Sequence, residues 1–246
     1  MNHNQEATRF DRIKIIVGQD GLQNLTDATV MVLGLGGVGS SCVEALARGG
    51  VGRLIVIDSD IVEITNINRQ AIAFESTIGR PKADVMTAMI QQINPDCDVI
   101  AEQVEITPEN YADAFIQYPK PDYVIECIDS VLAKSYIAAW CQAHDIPIVA
   151  SMGAANKLDP MQLTFADIRQ TMNCPLSRKM REEYRKRGVE HLEVLFSKEL
   201  PKKIKNPISS SRAHTLGTMS YMPPIMGQML ASFVIRRLVT QDNKEV

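Results

Sequence analysis

A β-branched apolar run, Thr29 to Leu33, ends in Gly34-Leu35-Gly36-Gly37-Val38-Gly39. Val38 to Arg48 then carries apolar residues at helical spacing and stops at Gly49-Gly50. A second apolar run, Leu54 to Ile57, ends at Asp58, nineteen residues beyond Gly39. Few folds accept this order. Glycines at Gly34, Gly36 and Gly39 let the backbone turn tightly from strand to helix and bring N–H groups up to a phosphate. A carboxylate closing the next strand suits ribose hydroxyls. The expectation is a nucleotide-binding, Rossmann-like α/β core.

The rest of the chain extends that pattern. Phe10 to Leu25 has helical spacing, and Lys82 to Ile93 reads as a helix stopped by Asn94-Pro95. Asp98 to Val104 alternates as a strand, and Pro108 to Gln117 reads as a helix with Thr107 as N-cap. Tyr123 to Glu126 is a strand, Val131 to Ala143 a helix and Ile146 to Ala150 a strand. Strands alternating with helices predict a mixed, mainly parallel sheet with helices on both faces. After Gly153 the pattern becomes an α+β extension. Met161 to Phe165 and Val194 to Phe196 read as strands, Pro175 to Arg187 as a charged helix, and Glu199 to Ser211 as a mobile loop. Residues 216–238 read as a helical unit broken near Pro223-Pro224. The expected organisation is a single domain over 1–246. Residues 1–27 form an N-terminal helical segment, 28–155 the nucleotide-binding core, and 156–246 a C-terminal extension.

Composition narrows the function. The 246 residues are 45% hydrophobic and 22% charged, ordinary for a globular domain with a sizeable core. A net charge of −3 excludes a general polyanion binder. Residues 178–212, however, hold eleven Lys and Arg against five Glu, a surplus of six positive charges on an otherwise acidic chain. That fits either a local polyanion contact or a solvated helix face. Cys42, Cys97, Cys127, Cys141 and Cys174 are scattered and form no C-x-x-C pair, so no structural zinc and no disulfide are expected. Residues 1–8 lack the apolar stretch of a signal peptide, and the apolar segment from Leu216 is interrupted by prolines and glycines. A cytoplasmic chain with no stable membrane association is expected, with 216–235 as a buried or subunit-interface helix.

The cluster after Asp58 selects the chemistry. Asp60 follows at once, and Asn66, Arg69 and Gln70 come next, with Lys82 behind Gly79-Arg80-Pro81. Hydride transfer needs no cation beside a triphosphate. Displacement at the α-phosphate of ATP builds negative charge on the phosphoryl oxygens and on pyrophosphate, which placed Arg and Lys side chains stabilise. Asp129, after strand Tyr123 to Glu126, falls at the carboxyl edge where such sheets bind ligands. It is a candidate to hold Mg²⁺ on the phosphates, or alternatively an N-cap for the helix near Val131. His144 and His191 have no partner spacing and receive no role.

These motifs, with Cys127-Ile128-Asp129-Ser130 and Arg9-Phe10-x-Arg12, resemble the ThiF/MoeB superfamily of adenylating enzymes related to the ubiquitin-activating enzyme. The resemblance implies that Gly34, Gly36, Gly37, Gly39, Asp58, Asp60, Asn66, Arg69, Gln70, Lys82 and Asp129 form an ATP site. Within it, Arg69, Lys82 and Asp129 would be catalytic. It also implies a homodimer in which Arg12 reaches the partner's ATP site. Sulfur-carrier activators of this superfamily usually carry paired C-x-x-C motifs, which this chain lacks.

The remaining motifs resemble the threonylcarbamoyladenosine dehydratase branch. They are Gln92-Ile93-Asn94-Pro95, Gly153 to Pro160 and Val194 to Glu199. Cys174 stands where that branch is expected to have an acidic residue before Pro175; it is read as a partly buried free thiol, not a nucleophile. The implied reaction is ATP-dependent dehydration of threonylcarbamoyladenosine beside the tRNA anticodon to its cyclic form, through carboxylate adenylation. ATP and Mg²⁺ would be required, and a monovalent cation is left open. Arg178, Lys179, Arg181, Arg185, Lys186 and Arg187, with Lys202, Lys203 and Lys205, would grip the tRNA backbone. The alternative is adenylation of the C-terminal glycine of a ubiquitin-like sulfur carrier.

Overall fold

The computed structural model describes residues 7–202 and 216–240. Seven strands form one sheet in the order β3-β2-β1-β4-β5-β7-β6, parallel except for β6. They are β1 (Thr29–Leu33), β2 (Arg53–Ile57), β3 (Asp98–Glu102), β4 (Tyr123–Glu126), β5 (Ile148–Ser151), β6 (Leu163–Asp167) and β7 (Glu193–Ser197). β1 and β4 are buried along their whole length, as parallel strands covered on both faces must be. The α+β extension does not stand apart: β7 continues the parallel sheet beside β5, and antiparallel β6 closes its edge.

Alternate side chains of β1 feed opposite layers. Val30 and Val32 pack with α2 (Gly37–Gly49), α3 (Lys82–Ile93) and α7 (Met222–Thr240). Met31 and Leu33 face Phe115 of the short α4 (Asp113–Ile116) and Ala133, Ile137 and Cys141 of α5 (Val131–Ala143). A third cluster joins β5 and β7 to Met180 and Tyr184 of α6 (Pro175–Lys186). α1 (Asp11–Asp27) bends at Gly18, whose φ of +75° breaks the helical backbone, and its Gly21 abuts Val239 of α7.

Two sequence expectations change. Residues 108–112 form turns, and only Asp113–Ile116 is helical. Thr107 does supply an oxygen to the N–H of Glu109, but Asn110 folds its amide back on Thr107 and Glu105, which favours turns over a helix. Pro223-Pro224 do not break the terminal helix. They lie in its first turn, where the missing N–H groups have no intrahelical acceptor to lose. Of the loop expected at 199–211, residues 203–211 lie outside the described residues, as do Lys203 and Lys205. Among the described residues no helix is long and apolar enough to cross a membrane.

Candidate active site at the carboxyl edge of the sheet

Strand order reverses between β1 and β4, which opens a crevice at their carboxyl ends. The glycine turn leaves β1 on one side of it. Gly34 has a φ of +89°, and a side chain there would lie 2.9 Å from the Cys127 carbonyl carbon. A side chain at Gly39 would lie 1.8 Å from the Gly34 carbonyl oxygen. Gly36, the N-cap of α2, faces open space, so the helix N-terminus is bare where a phosphate would approach. Gly37 is packed beneath the Arg69 side chain and Pro223 of α7.

Asp58 closes β2 and is tied to this turn. Its Oδ2 accepts the Leu35 N–H at 2.5 Å and its Oδ1 the Asp60 N–H at 2.8 Å. Burial raises its pKa above the ordinary carboxylate value, opposed by the Lys82 charge and by these two hydrogen bonds. Lys82 at the start of α3 is buried; its Nζ lies 2.7 Å from Asp60 Oδ2 and 4.0 Å from Asp58 Oδ1. The loop between them is clipped down by Lys82 N to Asp60 O and by Val62 N to Arg80 O. A cavity of about 360 Å³, lined by Ser59, Asp60, Ile61, Glu63, Asn66 and Lys82, opens there.

The amide cluster has divided duties. Asn66 Oδ1 caps the Glu63 N–H, leaving its amide nitrogen only a 3.5 Å contact with Thr65 Oγ1. Arg69 Nη1 donates to Thr65 O and Asn68 Oδ1, both at 2.8 Å, and has no carboxylate partner among the described residues. Burial alone lowers its pKa, though a guanidinium stays charged. Gln70 is buried, and its Oε1 has no hydrogen-bond partner among the described residues. Asp129 is exposed in the turn after β4 and Ser130, not Asp129, is the N-cap of α5. Among the described residues no group of three or more His, Cys, Asp or Glu could hold a metal. A lone hard carboxylate still suits Mg²⁺, which commonly takes one or two carboxylates plus substrate phosphates.

The arrangement sets a bare helix N-terminus, a ribose-type carboxylate and two cations around one crevice, and the sequence matches the ThiF family over residues 10–246. The chain belongs to the ThiF family. A tRNA threonylcarbamoyladenosine dehydratase of Bacillus subtilis is 40% identical to it over 242 residues, 94% of each chain. The crystal structure of an E. coli tRNA N6-threonylcarbamoyladenosine dehydratase in complex with ATP matches with a TM-score of 0.85 at 33% identity, covering 95% of this chain and 94% of that one. The E. coli sulfur carrier protein ThiS adenylyltransferase is 35% identical over 151 residues, 61% of this chain and 59% of that protein.

In this ThiF-family chain the basic helix α6 runs away from the crevice. Its N-cap, Cys174, lies 3.7 Å from where a Gly153 side chain would sit, past the end of β5, and Gly188 beyond its other end is held by Gln142 of α5. Arg178, Lys179 and Arg185 are exposed and meet no carboxylate among the described residues. Three other cations are engaged within the chain. Arg181 holds Thr171, Lys186 pairs with Glu183, and Arg187 pairs with Glu183 while lying over the Tyr136 ring. Cys174 is buried, and its sulfur accepts the Ser177 N–H. His191 is not partnerless: it meets Asp167 and Arg169 at 3.0 and 2.7 Å.

Sequence reading missed three residues. Ser40 donates to Gly36 O and accepts the Ala71 N–H, tying the glycine turn to the Arg69 cluster. Glu126 and Lys134 form a fully buried pair beneath the Asp129 turn. The signal for that pair was Lys134, the single charged residue of α5.

Proposed function

We propose that the chain performs ATP-dependent dehydration of threonylcarbamoyladenosine in tRNA to its cyclic form. The observation that carries this is the crevice itself, where Asp58, Lys82, Arg69 and the open Gly36 turn meet, in a chain 94% covered by a relative of that name. The sulfur-carrier reading is weaker, since adenylyltransferases of that kind match at 30–35% identity over 61–69% of the chain, against 40% over 94% for the dehydratase relative.

The threonyl carboxylate attacks the α-phosphorus of ATP, the bond from that phosphorus to the α,β-bridging oxygen breaks, and pyrophosphate leaves. Arg69 and Lys82 take up the charge that grows on the phosphoryl oxygens and the leaving group. Asp58 orients the ribose, and the N–H groups above Gly36 hold a phosphate. Asp129 would hold Mg²⁺, which supplies charge neutralisation on the phosphates. The carbamoyl oxygen then attacks the activated carbonyl, its N–H proton is released, and AMP departs with one former carboxylate oxygen. The nucleophile is already attached to the substrate, so proximity comes with it. This chemistry needs no acceptor cysteine. Burial pushes Cys97 up to about 11 and Cys127 up to about 12, unsuited to thiolate attack.

Residues 156–246 serve as the tRNA-facing part, with Arg178, Lys179 and Arg185 the free cations for phosphate contact. The functional unit is a homodimer: Arg12 is exposed on α1 beside Ile15 and Ile16, 83% and 85% exposed, and reaches the partner's site. The working compartment is the cytoplasm. An isotope experiment tests the adenylate. Substrate tRNA labelled with ¹⁸O in the threonyl carboxylate should give AMP carrying one label. The second carboxylate label stays in the cyclic product in this mechanism, and unlabelled AMP would refute carboxylate adenylation.

A further inference from the structure

Glu126 ends β4 and Lys134 lies on α5, and both side chains are fully buried. Glu126 Oε1 accepts the Ile128 N–H at 2.8 Å, and its other oxygen meets Lys134 Nζ. Lys134 Nζ also donates to Ile128 O at 3.2 Å and to Ser151 O at 3.0 Å, so the ammonium combines an ion pair with two backbone hydrogen bonds. The Cys127–Ser130 turn is therefore held through both backbone groups of Ile128. Gly34 packs on the same segment, since a side chain there would lie 2.9 Å from the Cys127 carbonyl carbon and 3.0 Å from Ile128 N, so the segment touches both the buried pair and the glycine loop. Asp129 projects from it next to Ile128, and its charge opposes that of Glu126.

An ion pair taken wholly out of water gains little for stability over a well-packed apolar pair. Its geometry accounts for it better. We infer that Glu126 and Lys134 are positioning residues that fix the Cys127–Ser130 turn against the glycine loop and so aim Asp129 at the phosphate side of the crevice. The third bond, to Ser151, joins the same device to the end of β5, from which the Gly153–Pro160 segment departs. The inference rests on the ATP-site reading above.

The test compares the wild type with Glu126→Gln/Lys134→Met, which is neutral, keeps an acceptor for Ile128 N–H and releases Ile128 O and Ser151 O. Calorimetry with AMP and with a non-hydrolysable ATP analogue, each with and without Mg²⁺, reads binding apart from turnover. AMP affinity should be unchanged, while the Mg²⁺-dependent gain in analogue affinity falls about 10–100-fold, as when groups that orient a metal ligand are lost. That loss should be shared with Asp129→Ala, so the triple variant is no worse than Asp129→Ala alone. A folded double variant with the full Mg²⁺-dependent gain, or losses that multiply in the triple variant, would overturn the inference. Should the double variant not fold, Glu126→Gln alone, which keeps one acceptor oxygen but replaces the other with an NH2 donor and so breaks either the Ile128 or the Lys134 contact, should lose part of the same gain; no loss there would leave the pair purely structural. A wild type without measurable nucleotide binding would instead overturn the ATP-site reading.

Discussion

At the scale of single residues, the crevice separates holding from reacting. Arg69 is held by a backbone carbonyl and by Asn68, with no carboxylate to neutralise it. Its charge is available to a phosphate. Arg69→Ala should lower kcat by about 10²–10³-fold, as for other groups that stabilise developing negative charge, with the thermal midpoint unchanged within error. Pyrophosphate release assays would read the first and calorimetry the second. Asp58 makes a pH prediction. Burial raises its folded pKa above the ordinary value of 3.8. Its contribution to stability is then present below that value and lost as pH rises through the folded pKa. Nucleotide binding runs the other way, since ribose needs the carboxylate as acceptor. ATP affinity should fall as pH drops through the folded pKa, at a higher pH than for an ordinary aspartate. The difference between wild type and Asp58→Asn across a pH series isolates that limb; parallel profiles would count against it. The placement of these residues was legible in the sequence, because Asp58 stands at the end of β2 and Lys82 at the start of α3, with Arg69 in the loop between them. Glu126 and Lys134 were not. A strand-ending glutamate and a lone helical lysine mean nothing until the fold brings them together.

At the scale of elements, the inner parallel strands β1, β2 and β4 were readable because their buried runs are largely continuous and apolar, whereas the edge strand β3 was read from its alternation. The turns at 108–112 were misread, since Asn110 bonds to its own neighbourhood and no amount of helical spacing shows that. The α2–α7 crossing was invisible for a similar reason. It depends on Gly227, where a side chain would lie 2.2 Å from Val38 O in α2. Gly227→Ala should destabilise the protein by about 1–3 kcal/mol, the usual cost of overpacking, in denaturant melts. Cys174 tests the cap of α6. Cys174→Ala removes the acceptor of the Ser177 N–H and should cost about 1 kcal/mol. Cys174→Ser should largely restore it, and activity per folded molecule should match wild type in both. Loss of activity in the serine variant would return the thiol to the chemistry.

At the scale of the whole molecule, the sheet separates two tasks. The crevice proposed for ATP lies at the carboxyl edge beside the β1–β4 reversal, while α6 carries its exposed cations outward from that edge. Reversing Arg178, Lys179 and Arg185 together should weaken tRNA binding across sequences and lower the slope of log affinity against log salt by about one per residue. Filter binding over a salt series reads both. Sharing of the site between subunits is tested by mixing Arg12→Ala with Arg69→Ala protein, where recovery of some activity is expected and none would place Arg12 outside the partner's site. The central claim is tested most directly on the nucleoside. The protein, ATP, magnesium and tRNA bearing threonylcarbamoyladenosine are incubated, and the tRNA is digested and examined by mass spectrometry. The account predicts ATP-dependent loss of one water from the modified adenosine, and an unchanged nucleoside in the presence of ATP would contradict it.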